Sequence, residues 1–140
     1  MTTHRGSAGL PALALWGIEY YTLVMSEARD DLTFVYLAPF IRASKGVLSE
    51  DDFEAIKADL RKGAARWPVM QGTGGFRKMR YAPIGSGKGK SGGVRIVYFY
   101  RHHDGRVCFA TLIRKSETEN LTKAERNQLA ELAKILKRAP

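Results

Sequence analysis

Apolar and polar residues alternate most regularly between residues 76 and 113, where three segments have the pattern of β-strands. These segments are residues 76–82, 94–100 and 107–113. Asp104-Gly105 is a hairpin signal between the last two segments. An earlier run, Thr33–Leu37, is rich in β-branched and aromatic residues and predicts a fourth strand.

Apolar positions three or four residues apart predict two longer helices. The first follows Ser49, a good N-cap residue, and ends before Gly63. The second begins with a capping box at Thr122 and ends near Arg138. A short helix is expected over residues 40–45. The predicted order is therefore β-α-α-β-β-β-α, and hairpins between consecutive strands predict an α+β fold with a small antiparallel sheet.

The N-terminal stretch is harder to place in this domain. Residues 10–24 are mostly apolar, but Glu19 interrupts them and the run is shorter than the ~20 residues that a membrane span needs. No small-residue cleavage site follows, so a signal peptide is not predicted either. We interpret residues 1–25 as a poorly defined extension that is not part of the native domain, with Met25 as an alternative start. Residues 26–140 are then one domain.

Length and composition narrow the class of protein. The chain has 140 residues, 44% hydrophobic and 26% charged, which is typical of one globular domain and excludes disordered and fibrous chains. Cys108 is the single cysteine, which excludes an intramolecular disulfide framework and a cysteine-based zinc site. We expect a reducing, cytoplasmic location.

The formal net charge is +9, and the excess is concentrated in one segment. Residues 66–115 contain eleven lysines and arginines but one acid, Asp104. Such a segment is either a solvated sheet face or a surface that binds the phosphates of a nucleic acid, and the concentration of charge favours the second interpretation.

Two glycine-rich segments flank the first strand of this region. Residues 71–75 are expected to form a flexible turn. Residues 83–93 lack the spacing of a nucleotide-binding P-loop, because Ile84 stands where the first glycine is required and a strand follows instead of a helix. This second loop is either a plain hairpin connection or a mobile basic flap over a polyanion.

Other sites of catalysis find little support. His102 and His103 lie in a predicted turn without metal-ligand partners, and Cys108 falls in mid-strand as a small core residue. No metal or cofactor site is predicted. A cluster of lysine and arginine can nevertheless cleave RNA, because the 2′-hydroxyl is a built-in nucleophile that needs a base, cations to stabilise the phosphorane and an acid for the leaving oxygen. Lysine serves as the base where neighbouring cations favour its neutral form.

Residues 72–100, GTGGFRKMRYAPIGSGKGKSGGVRIVYFY, resemble the signature of HigB-type toxins in the RelE/ParE superfamily. The resemblance extends from about Thr33 to Leu136, and the first 25 residues have no counterpart in it. It implies a RelE-like fold and a type II toxin that cleaves messenger RNA on the ribosome and inhibits translation, without a cofactor. It also implies a cognate antitoxin of the helix-turn-helix type, through which alone the toxin would contact operator DNA, and no membrane.

The resemblance also implies roles for individual residues. Lys78 would be the general base, Arg80 and Arg95 would stabilise the phosphate, and Lys115 would be an acid or a clamp. Further RNA-binding residues expected from the resemblance or the basic pattern are Arg77, Lys88 and Lys90. The last segment has no tyrosine, which some family members use there, so the identity of the acid stays open.

Two alternative functions remain at this point. One is inhibition of DNA gyrase, the activity of the related ParE toxins, and the other is nucleic-acid binding without catalysis. Gyrase inhibition needs no phosphate site, so the cluster of Lys78, Arg80 and Arg95 favours the ribonuclease. A pure binding module would bind RNA tightly without producing new ends.

Overall fold

The computed structural model describes residues 23–28, 32–85, 93–114 and 121–140, with side chains from residue 32 onward. Eight helices and strands follow in chain order: β1 Leu23–Ala28, β2 Thr33–Leu37, α1 Ala38–Ser44, α2 Glu50–Lys62, β3 Phe76–Tyr81, β4 Val94–Arg101, β5 Arg106–Arg114 and α3 Lys123–Arg138. Within these ranges no helix is long and apolar enough to cross a membrane.

The α+β class is confirmed, but the sheet is mixed and not purely antiparallel. Its strand order is β1-β2-β5-β4-β3, and β2 runs parallel to β5 while the other neighbours are antiparallel. The hairpin argument correctly covered β3 to β5, which follow one another in the chain. It did not apply to the pairing of β2 with β5, because β5 follows β2 in the chain only after both early helices and two further strands.

The first strand and the first helix also differ from expectation. The edge strand β1 was not predicted, and it spans residues 23–28 across the boundary that we placed after Met25. Helix α1 begins at Ala38, earlier than expected, because Pro39 lies in its first turn, where the missing N–H costs nothing.

Helices cover both faces of the sheet. On one face α1 and α2 pack on an aromatic group, in which the Phe109 ring lies 5.2 Å from that of Tyr36 and 4.9 Å from that of Phe40. On the other face α3 packs its apolar stripe against β3 and β4, with Leu129 and Leu132 fully buried. Because two layers bury the central strands, these strands are apolar on both sides over most of their length.

Several residues of the strands are confirmed as core. Tyr98 is fully buried on the α1/α2 face, and its hydroxyl donates a hydrogen bond to the Ala64 carbonyl at 2.6 Å. Cys108 is buried on the α3 face, and burial raises the pKa of its thiol to about 12. Neither side chain is available to a ligand at the surface.

Asp52 joins the start of α2 to the end of β3. One carboxylate oxygen accepts from the Ser49 N–H at 2.7 Å, completing the capping box. The other accepts from the Tyr81 hydroxyl at 2.6 Å and the Ile84 N–H at 2.8 Å. Burial raises the pKa of the Asp52 carboxyl, but the hydrogen bonds that it accepts outweigh burial, and its pKa lies below the ordinary value.

We therefore expect Asp52→Asn to lower the free energy of unfolding by about 2–3 kcal/mol at pH 7, since the amide turns a donor toward the Ser49 N–H. A carboxyl whose pKa is lowered by folding stabilises above its unfolded pKa, and this contribution is lost as pH falls through the folded value. The difference between wild type and variant should shrink below about pH 4. Denaturant unfolding between pH 3 and 7 measures it, with exposed Asp51→Asn as the control; a pH-independent difference would contradict the assignment.

Candidate functional site

Three predicted site residues meet on one face of the sheet. In the ladder between β3 and β4, Arg80 lies directly opposite Arg95, and Lys78 lies two residues before Arg80 on the same face. Side chains directly opposed on antiparallel strands have their Cβ atoms about 4.5–5.5 Å apart. We call Lys78, Arg80 and Arg95 the cationic cluster.

The side chains of the cationic cluster are partly or fully accessible. Arg80 is exposed, and Lys78 and Arg95 are half-buried. In the described part of the chain no carboxylate forms an ion pair with any of them. Because like charges directly opposite one another destabilise a sheet, the pairing of Arg80 with Arg95 costs folding energy unless an anion binds there.

Arg77, which was predicted to bind RNA, lies apart from the cluster. Its side chain points to the α1/α2 face, where the guanidinium donates to the Ala65 carbonyl at 2.9 Å and to the Trp67 carbonyl at 2.6 Å. These bonds hold the segment after α2 against β3. The structure therefore places Arg77 in a structural position, since alternate residues of a strand face opposite ways.

Arg101 also has a structural position. It is 6% exposed and forms an ion pair with Asp104 at 2.7 Å. The same guanidinium donates to the Leu136 carbonyl at 2.6 Å and the Ala139 carbonyl at 2.5 Å, at the C-terminal end of α3. The hydrogen bond with Asp104 raises the pKa of Arg101. A cation at this helix end satisfies free carbonyls and the helix dipole, so Arg101 fixes α3 on the sheet.

Two further arginines also have partners within the chain. Arg106 donates to the Pro140 carbonyl at 2.7 Å, and Arg66 pairs with Asp59. Lys88, Lys90 and Lys115 lie outside the described residues, so their predicted roles stay predictions. The loop predicted as a connection or a flap lies mostly outside them as well.

The two described histidines are distant from the cationic cluster. His102 and His103 are exposed in the turn after β4, whereas Arg95 is near the start of that strand. At about 3.3 Å per residue this separation is on the order of 20 Å. No group of histidine, cysteine and carboxylate side chains that could hold a metal ion occurs in the described ranges. Lysine and arginine are thus the functional groups that the cluster presents.

An open cleft of about 770 Å³ adjoins the cluster at Lys78. One wall is the segment 68–72, which runs beside β3: the Met70 N–H donates to the Phe76 carbonyl at 2.7 Å. The other wall is the beginning of α3. The polar and charged residues that line the cleft are Gln71, Lys78, Lys123, Arg126 and Asn127. Sequence reasoning missed this cleft, because its walls come from segments far apart in the chain.

The turn at residues 71–75, which was expected to be flexible, begins in one wall of the cleft and packs against α3. Thr73 is fully buried, and its hydroxyl donates to the Met70 carbonyl at 2.7 Å. Gly74 has φ +77°, and a Cβ there would lie 2.9 Å from the Cβ of Ala133 on α3. Glycine is required at this position both by the backbone conformation and by the close contact with the helix.

Residues 70–139 match the family model described as "RelE toxin of RelE / RelB toxin-antitoxin system". The matched range contains the cationic cluster, the part of the first cleft wall from Met70 onward, the second wall and all of α3. It spans half of the chain.

The cross-strand repulsion gives a test of the geometry. Arg80→Gln should raise the free energy of unfolding by about 0.2–1 kcal/mol, because it removes one of two opposed like charges. The gain should shrink in high salt, which screens the repulsion. Denaturant unfolding at low and high salt measures both effects. Arg114→Gln, an exposed strand arginine opposite Val94, is the matched control and should show no such gain. A loss of stability in Arg80→Gln would show that its charge is compensated.

Proposed function

This chain belongs to the RelE toxin family of toxin–antitoxin systems, and we propose that it is a metal-independent endoribonuclease that cleaves messenger RNA on the ribosome. The observation that carries the proposal is the opposed pair Arg80 and Arg95 beside Lys78, without a carboxylate partner among the described residues. This arrangement fits a phosphate with a developing negative charge. The HigB type is part of the proposal and rests on the motif in residues 72–100.

The cleavage that we propose uses the substrate's own nucleophile. Lys78, as the general base, takes the proton of the ribose 2′-hydroxyl, and the 2′-oxygen forms a bond to phosphorus. The bond from phosphorus to the 5′-oxygen of the next nucleotide breaks. The products are a 2′,3′-cyclic phosphate and a 5′-hydroxyl end. DNA lacks the 2′-hydroxyl and is therefore not a substrate.

Arg80 and Arg95 stabilise the charge that develops on the phosphoryl oxygens. Their planar guanidinium groups can donate two parallel hydrogen bonds to one phosphate, a geometry that the ammonium group of lysine does not offer. Lys115 is the proposed donor of the proton to the leaving 5′-oxygen or a clamp on the phosphate. Lys88 and Lys90 are proposed to contact the RNA backbone. Tyr98, being fully buried, does not supply the missing tyrosine.

The family also implies an antitoxin as partner. We propose that this antitoxin carries a helix-turn-helix domain and alone contacts operator DNA, and that the toxin acts in the cytoplasm, where ribosomes and messenger RNA are found. Inhibition of gyrase and RNA binding without cleavage are the alternatives that the experiment below distinguishes.

Substitution of Lys78 by arginine distinguishes a role as general base from a role as a positive charge. Arginine keeps the positive charge but does not lose its proton in proteins, so Lys78→Arg should bind ribosomes normally and cleave at least 100-fold more slowly, the lower limit for loss of a general base. Purified protein, ribosomes and a defined message, with new 5′ ends mapped by primer extension, measure the rate. Lys134→Arg, on the exposed face of α3, is the control.

Each alternative predicts a different result. Wild-type cleavage by Lys78→Arg would show that Lys78 is not the base. Growth arrest with intact message and damaged DNA would identify a gyrase inhibitor. Binding of RNA by the wild type without new ends would identify a module that only binds.

A further inference from the structure

We infer that the cleft between residues 68–72 and the start of α3 binds one single-stranded RNA nucleotide, next to the phosphate held by the cationic cluster. This inference rests on the proposed ribonuclease function and extends it to the recognition of substrate. It assigns a role to four residues outside the cluster: Gln71, Lys123, Arg126 and Asn127.

The first support for this inference is the position of the cleft beside the cationic cluster. Lys78 belongs both to the cationic cluster and to the lining of the cleft. An RNA chain whose phosphate lies at the cluster therefore has a neighbouring nucleotide at the mouth of the cleft. A volume of about 770 Å³ lies within the range of pockets for small organic ligands.

The charges of the cleft fit a second phosphate. Lys123 occupies the first position of α3 and Arg126 follows one turn later. The helix dipole disfavours cations near the N-terminus of a helix. A contribution to helix stability therefore does not explain the presence of Lys123 and Arg126 at the start of α3. Among the described residues, no carboxylate lines the cleft. Glu125, in the same turn, accepts from the Thr122 N–H at 2.9 Å and is thereby held in the capping box.

Arg126 is positioned by its surroundings. Its guanidinium donates to the Leu121 carbonyl at 2.9 Å. A Cβ on Gly72 would lie 3.4 Å from the Arg126 Cδ, so the aliphatic part of this side chain lies directly over the turn. Arg126 thus connects the two walls of the cleft, while Lys123 is exposed at its rim.

The uncharged residues that line the cleft fit a nucleobase. Gln71 and Asn127 are exposed amides from opposite walls, and each offers a donor and an acceptor for the edge of a base. Val69, which is 50% exposed, and Met70 provide apolar surface for the face of a base. Amides that hydrogen-bond a base edge discriminate among bases, so this cleft would contribute to the choice of cleavage position.

The test combines direct binding with cleavage mapping on the full-length protein. Fluorescence anisotropy measures the affinity for four short homopolymeric oligoribonucleotides whose 2′-hydroxyls are replaced by hydrogen at the cleavage position. Lys123→Gln should weaken all four complexes and lower the slope of log K against log salt by about 1. Asn127→Ala and Gln71→Ala should change the preference among bases by about fivefold or more. Lys134→Gln, which removes a charge from the same helix outside the cleft, should leave affinity and preference unchanged.

Primer extension on ribosomes then gives the cleavage positions. We expect Asn127→Ala to shift the relative cleavage among codons and Lys134→Gln to cleave at the same positions as the wild type. Asn127→Asp, which preserves size but replaces the amide donor, is the second variant and guards against loss of folding, checked by thermal unfolding.

The outcomes separate the two proposals. If the wild type cleaves and the cleft variants match it in affinity, base preference and cleavage positions, the inference about the cleft is wrong and the ribonuclease stands. If the wild type binds RNA with the expected effects of the cleft variants but never cleaves, the ribonuclease is wrong and nucleotide binding by the cleft stands. If none of the oligonucleotides binds but an acidic antitoxin peptide does, the cleft is a protein-binding site and the inference is overturned.

Discussion

The register between β3 and β4 is the constraint on which the core and the site both depend. It places Met79 beside Ile96 on the face covered by α1 and α2, and Phe76 beside Phe99 under α3, with ring centres 5.3 Å apart. A slip by one residue would move every side chain of a strand to the other face. The same register leaves Arg80 opposite Arg95, beyond the reach of α3. The apolar residues that hold the core together therefore also determine where the charges meet.

The basic residues of this region form two populations with different physical roles. Arg77 and Arg101 donate to backbone carbonyls and hold neighbouring segments on the sheet. Lys78, Arg80 and Arg95 have no carboxylate partner in the described ranges and repel one another. Charge counted along the sequence cannot separate these populations, because both contribute equally to net charge. What separates them is whether the side chain finds an acceptor within the folded chain.

Much of the fold follows from local pattern. The strands β3 to β5, the helices α2 and α3 and their capping residues lie within one or two residues of the predicted bounds. The two-residue period of a strand also put Lys78 and Arg80 on one face and Arg77 on the other, so the structural position of Arg77 was open to prediction from that alternation. The parallel pairing of β2 with β5 could not be predicted from local pattern, since non-local pairing depends on how the helices pack.

The cleft and the packed turn at residues 71–75 were beyond local pattern for the same reason. The need for glycine at Gly74 arises from Ala133, and the lining of the cleft combines Gln71 with Asn127, which are distant in the chain. A glycine-rich segment is expected to be flexible when only its neighbours in the chain are considered. Its packing against a helix could be recognised only from the position of α3.

The position of the cationic cluster depends on how β3 is held, and hydrogen bonds anchor both ends of this strand. Thr73 closes the turn before the strand, while Asp52 accepts hydrogen bonds from Tyr81 and Ile84 at its end. Charges held in place before substrate arrives need no reorganisation as the transition state forms, which is the main advantage of a preorganised electrostatic site. Because mutual repulsion of the cationic cluster opposes folding, the anchors at both ends offset that cost. Residues outside the cationic cluster thus help to keep its mutually repelling charges on one face of a stable sheet.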